Sequence, residues 1–178
     1  MVIFMQSSIG RRLEHSLLNF VSKDYESSLV HFFPALDKTA KIRRPKDGVG
    51  SRIKSFLSDE EEFISFLAIR VMMKDCGAYG FTLPDAIYKF GRTSVMHEGE
   101  LDPRLKITHE SSVSIGEVWS LPASYVISMI VAVMAAKENS NEKFERDGYL
   151  TIHGVQFNTA DIWGNKELVK KALKMPDF

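Results

Sequence analysis

Arg92 and His97, separated by four residues in the segment GRTSVMHEGELD (Gly91 to Asp102), are the side chains of this chain best suited to chemistry. An imidazole with an ordinary pKa of about 6.5 can take or give a proton near neutrality. A guanidinium carries a permanent charge on a planar fork, which suits phosphate and the extra charge of a pentacoordinate phosphorus transition state. The pair is the minimum apparatus for metal-independent RNA cleavage, with His97 acting on the ribose 2′-hydroxyl or the leaving oxygen. The same residues also have a purely structural use. Arg92 can pair with Glu98, Glu100 or Asp102, and His97 can cap carbonyls at a helix end.

Spacing sets a condition on the catalytic use. Five steps of about 100° rotate a side chain by roughly 140°, so on a straight helix the two do not share a face. They can converge where the helix stops, and Gly99 is a stop signal. They can also converge across a symmetric homodimer, where two copies supply two arginines and two histidines to a composite site.

A second candidate is a basic run. Lys38, Lys41, Arg43, Arg44, Lys46, Arg52 and Lys54 stand against Asp37 and Asp47 only, and the intervening RRPKDGVG reads as a loop. Arg43, Arg44, Lys46 and Arg52 are the candidate RNA contacts, and Gly48 and Gly50 can expose backbone N–H groups to phosphate. The competing expectation is a solvated face paired with Asp59 to Glu62, with Asp37 and Lys41 as an i,i+4 pair. His15, His31, His109 and His153 form no metal signature, and no phosphate-loop, dinucleotide or serine-hydrolase motif occurs, so no metal or cofactor is expected. Cys76 is the single cysteine, which excludes an internal disulfide; beside GAYGFT, a Gly-rich hinge, it reads as structural.

The chain of 178 residues fits one domain spanning 1–178. At that size about 70% of the unfolded surface can be buried without disulfides. Lys plus Arg and Asp plus Glu both total 23. Zero net charge argues against wholesale electrostatic binding of nucleic acid, so any such binding must be local. Met1 to Gly10 is partly apolar, but Arg11 and Arg12 follow rather than precede it, the wrong order for a secretory signal. Tyr125 to Ala136 is the longest apolar stretch and falls short of the roughly 20 residues a membrane span needs. A cytoplasmic protein with no membrane partner is expected.

Helical spacing dominates the first half. Ser7 to Phe33 reads as two helices, or one broken near Ser22 to Tyr25, and Pro34 starts a further helix over 35–41. Ser51 to Leu57 forms a turn or two of helix. Ser58 or Asp59 then caps a helix running to about Asp75. Leu83 to His97 is a helix with Pro84 in its first turn. Lys106 to Trp119 and Tyr149 to Phe157 read as small hairpins, Pro122 to Lys137 as a core helix, and Lys166 to Lys174 as a short closing helix. The expected fold is mainly α: a bundle of four to five core helices with one or two small β-hairpins in the C-terminal half.

Three ordered blocks carry a family resemblance. They are HFFPALDKTAKIRRPKDGVGSRIKSFL (His31 to Leu57), Arg92 with HEGEL (His97 to Leu101), and IGEVWSLPASYVISMIVAV (Ile115 to Val133). In this order they resemble a group of uncharacterised bacterial proteins laid out like the HEPN superfamily, whose Arg-x4-6-His motif is matched by Arg92 and His97. The resemblance covers most of the chain. It implies a helical bundle that dimerises and an endoribonuclease leaving 2′,3′-cyclic phosphate and 5′-hydroxyl ends. It also implies a place in a toxin or defence system with a protein antitoxin or partner. Carried over, Arg92 stabilises phosphate charge and His97 is the general acid or base. Active members often have Asn, Asp or His after the motif arginine; here Thr93 stands there, able to hydrogen-bond but not to share proton transfer. The resemblance is therefore also compatible with a non-catalytic binding module.

Overall fold

Ser7 opens the first helix of the computed structural model, which describes residues 7–176, by accepting from the backbone N–H groups of Ile9 and Gly10. The sequence reading of the N-terminal leader falls largely on residues outside that range. Helix α1 (Ser8–Val21) ends where Lys23 turns to positive φ. Asp24 then caps α2 (Tyr25–Arg43) by accepting from Ser27 N–H at 3.0 Å. The expected break near Ser22 to Tyr25 is real, and the two helices pack as an antiparallel hairpin. The expected second break is not: Pro34 sits inside α2. Proline removes one helical hydrogen bond, but Leu29, Phe32, Phe33 and Leu36 are all buried around it and hold the helix through that gap.

Helix α3 (Val49–Asp59) follows the basic loop and runs past the expected Leu57. Neither Ser58 nor Asp59 caps the next helix, α4 (Glu61–Ile69), because the joint falls at Glu60. Helix α4 stops six residues before the expected Asp75, at Arg70 with φ 61°. Its own side chains explain the early stop. Ser65 Oγ accepts from Met73 N–H at 2.8 Å and Glu61 accepts from Asp75 N–H at 3.1 Å, so the returning chain is fastened to the helix instead of extending it. The Gly-rich hinge is a two-residue hairpin of β1 (Gly77–Ala78) and β2 (Phe81–Thr82).

The helix expected over Leu83 to His97 is present in three stretches: α5 (Leu83–Ala86), a π-helical segment (Ile87–Thr93) and α6 (Ser94–Glu98). Thr82 and Asp85 form a capping box at its start, and Gly99 at φ 78° ends it. This helix lies along α2. A Cβ on Gly91 would come within 3.1 Å of the Phe33 ring and 3.3 Å of Leu105, so a larger residue would have to push these side chains back by a few tenths of an ångström.

In the second half, β3 (Leu105–Thr108) and β4 (Trp119–Pro122) pair in parallel, not as the expected hairpin. The connection of residues 109–118 carries the chain back so that Trp119 and Leu121 bury beside Leu105 and deliver it into α7 (Ala123–Ala135). The hairpin expected around His153 and Gly154 is formed by β5 (Tyr149–Ile152) and β6 (Val155–Asn158), with both turn residues at positive φ, as a two-residue hairpin turn demands. Two short helices, α8 (Thr159–Ile162) and α9 (Lys166–Ala172), close the described chain. Helix α7 is buried nearly all round, between α4, α2 and α1, and the core is one contiguous cluster about it. The molecule is mainly α-helical with small two-stranded sheets. Among the described residues no helix is long and apolar enough to cross a membrane.

Candidate functional site

Tyr88 joins the two candidate segments. It lies one turn before Arg92 on the π segment, and the Arg92 guanidinium sits over its ring at 5.8 Å. Its hydroxyl rests on Gly50, where an added Cβ would be 3.1 Å from Oη. Gly50 is the second residue of α3, so Tyr88 stands between Arg92 and the N-terminus of that helix. The N-cap of α3 is Gly48, which has no side chain to satisfy the first-turn N–H groups. That helix end therefore presents open donors and a partial positive charge. Lys46 projects from the loop, exposed and without an ion pair among the described residues.

His97 stands about 7.5 Å farther along the same helix axis, five residues at 1.5 Å each. It is exposed in the last turn of α6. Among the described residues Arg92 and His97 make no hydrogen bond to each other, and neither has a carboxylate partner. The carboxylates that could have pinned Arg92 are spent or turned away. Asp102 is held by Arg104 at 2.6 and 2.9 Å, and these hydrogen bonds lower its pKa to about 2. Glu98 and Glu100 are exposed and make no ion pair among the described residues.

The basic run divides. Arg43 is built into the fold: it takes both oxygens of Glu138 at 2.8 and 3.0 Å, Glu60 at 2.9 Å and Asp59 at 3.2 Å, and lies 4.3 Å over the Phe56 ring. Burial opposes its charge, but the Glu138 and Glu60 carboxylates outweigh that and raise its pKa. Glu60 also accepts from Lys166 at 2.6 Å, which ties α9 to the same cluster. Arg44 pairs with Asp59 at 2.8 Å. Arg52 grips Asp37 through two bonds of 2.7 and 3.0 Å, so the expected Asp37–Lys41 pair is replaced. Lys54 pairs with Asp85 at 3.2 Å. The expectation of a paired face is thus met at Arg43 and Arg44, by Asp59 and Glu60, and of the four candidate contacts only Lys46 is uncommitted.

Sequence reading missed three features. Tyr88 carries no signal in the sequence beyond its place within the Leu83 to His97 helix. Glu61 is buried with one carboxylate oxygen unpartnered, and burial raises its pKa. Arg12, His15 and His31 meet across the α1–α2 hairpin. Only the pairing of distant helix faces brings these groups together, and no local spacing signals it.

Among known proteins, the chain is similar to the uncharacterized protein Mb1320 of Mycobacterium bovis and the uncharacterized protein Rv1289 of Mycobacterium tuberculosis. Each is 23% identical over 175 residues, covering 88% of this chain and 83% of the relative. No solved structure matches it. The Rv1289 family model matches residues 8–177, nearly the whole length, and the chain belongs to that family.

Proposed function

We propose that this is a cytoplasmic HEPN-like RNA-binding protein whose phosphate contacts run along the ridge from Lys46 and the α3 N-terminus through Arg92 to His97. The observation that carries this reading is the seating of Tyr88 on Gly50, which brings Arg92, without a carboxylate partner among the described residues, toward the N-terminus of α3. Cations without internal partners on one surface suit a polyanion, and an aromatic ring beside them offers a base a stacking face. The resemblance of Arg92 and HEGEL to the HEPN motif supports RNA as the polyanion.

A second reading, metal-independent cleavage, is favoured by the exposure of His97 at a helix end beside an unpaired arginine. Since the two side chains do not meet within one chain, the reaction needs a homodimer. His97 of one copy takes the 2′-hydroxyl proton, the alkoxide attacks phosphorus, and Arg92 holds the phosphoryl oxygens. The second copy's histidine protonates the departing 5′-oxygen, which leaves a 2′,3′-cyclic phosphate. Incubating the protein with labelled single-stranded RNA in EDTA, alongside His97→Ala, tests both readings. Cleavage by the wild type alone, with cyclic-phosphate ends, establishes the nuclease. Binding that weakens with salt and with Arg92→Glu, without turnover, establishes the binding module. Absence of both overturns the proposal.

A further inference from the structure

The outer side of the α1–α2 hairpin gathers three groups able to carry positive charge. Arg12 Nη1 lies 3.1 Å from His31 Nδ1, and the rings of His15 and His31 stack with centroids 5.2 Å apart and planes 26° from parallel. A guanidinium has no acceptor, so His31 Nδ1 accepts and its proton sits on Nε2. No carboxylate pairs with any of the three among the described residues. The charged groups that face His31 are Arg12 and His15, both from α1; on its own helix Lys38 lies two turns on and bonds Ser8. Burial, then Arg12, then His15 lower the His31 pKa, so as it stands His31 resists protonation.

An oxyanion between the guanidinium and the rings would reverse that repulsion. It would accept from Arg12 and from both imidazoles once they are protonated. His15 is shared with a neighbouring groove of about 450 Å³ walled by Leu17, Leu18, Phe144 and Tyr149; Arg11, Arg146, Glu145 and Glu14 also line it, and the Glu14 carboxylate there accepts from the Glu145 and Arg146 backbone N–H groups. Leu18 and Tyr149 are 60% and 68% exposed there, apolar surface left open next to the charges. We propose that Arg12, His15 and His31 bind the phosphate of a phosphomonoester whose aromatic part, as in a nucleoside monophosphate, lies in this groove against Tyr149. The site is separate from the Arg92 ridge and does not depend on that reading.

The test follows the imidazole resonances of the five histidines of the full chain by NMR while inorganic phosphate, and separately adenosine 5′-monophosphate, is added. His15 and His31 are expected to move saturably at pH 6 and far less at pH 8. His97, His109 and His153 should stay in place. The nucleotide should bind about tenfold more tightly than phosphate, and Tyr149→Ala should remove that advantage. Arg12→Gln should weaken both ligands about tenfold, and His31→Gln serves as the second variant if the first does not fold. Unmoved His15 and His31 overturn the site. Movement of His97 instead overturns it too and assigns the phosphate to the Arg92 ridge. Equal affinity for the two ligands overturns the aromatic half of the proposal.

Discussion

Arg43 and Arg92 are both half-buried arginines resting on aromatic rings, Phe56 at 4.3 Å and Tyr88 at 5.8 Å. Their surroundings differ. Around Arg43 the fold assembles Asp59, Glu60 and Glu138 from the α3–α4 joint and the turn after α7, so its charge is consumed inside the molecule. Around Arg92 no carboxylate arrives, because the nearest acidic segment, after Gly99, turns its Asp102 to Arg104. A basic stretch is therefore a poor guide to a binding surface by itself. What decides is whether distant elements bring carboxylates to it, and the denser cluster of cations here is the less available one.

The largest effect that can break this contrast is on stability. Arg43→Ala strands Glu138, whose side chain is only 5% exposed, and leaves the 6% exposed Glu60 to Lys166 alone. It should cost about 3 kcal/mol or more, read from the urea midpoint at constant slope. Arg92→Ala should stay within about 1 kcal/mol. Equal costs would mean that both arginines are structural. Under the proposed function, the ranking is expected to invert on RNA. Lys46→Glu combined with Arg92→Glu should weaken binding about tenfold or more and flatten its salt dependence, whereas Arg52→Ala should leave affinity nearly unchanged. That same Arg52→Ala change should cost about 1 kcal/mol of stability, because the two-bond grip on Asp37 is partly exposed.

The smallest effect concerns Glu61. Burial raises its pKa above the ordinary 4.5, so the folded state holds that proton more tightly than the unfolded chain. Its contribution to stability is greatest below about pH 4.5 and declines as pH rises through and above that value. Glu61→Gln keeps an acceptor for the Asp75 N–H, removes the buried charge, and should raise the melting midpoint at pH 7 while flattening the decline. An unchanged pH profile would show that Glu61 does not titrate in this window.

Elements with strong local signals were legible from the residues alone. The apolar run of α7, the His153–Gly154 turn and the Pro84 helix start all carry their cause within a few positions. Tertiary contacts decided the rest. Pro34 is tolerated mid-helix because Phe32, Phe33 and Leu36 are buried on either side, and α4 stops early because Ser65 and Glu61 fasten the returning chain. The parallel pairing of β3 with β4 follows from where Trp119 must bury, not from the alternation of its own residues. For the site, the separation of Arg92 and His97 along the helix was foreseeable from their spacing. The loss of Arg43 and Arg44 to ion pairs was foreseeable only as an alternative, and that of Arg52 to Asp37 not at all, since the pairs depend on partners 15 to 95 residues away.

The π segment just before His97 gives the helix one residue of slack. A π turn closes over one residue more than an α turn, so removing a residue within Ile87–Thr93 shortens a wide turn to an ordinary one. The flanking residues keep their angular phase, and Leu83 and Val95 still face inward. Removing a residue from Ser94–Glu98 has no such refuge and swings everything beyond it by about 100°. Length variation along this helix is thus absorbed before Arg92 and transmitted after it, which makes the interval to His97 the stretch where a single insertion or deletion would re-aim the imidazole.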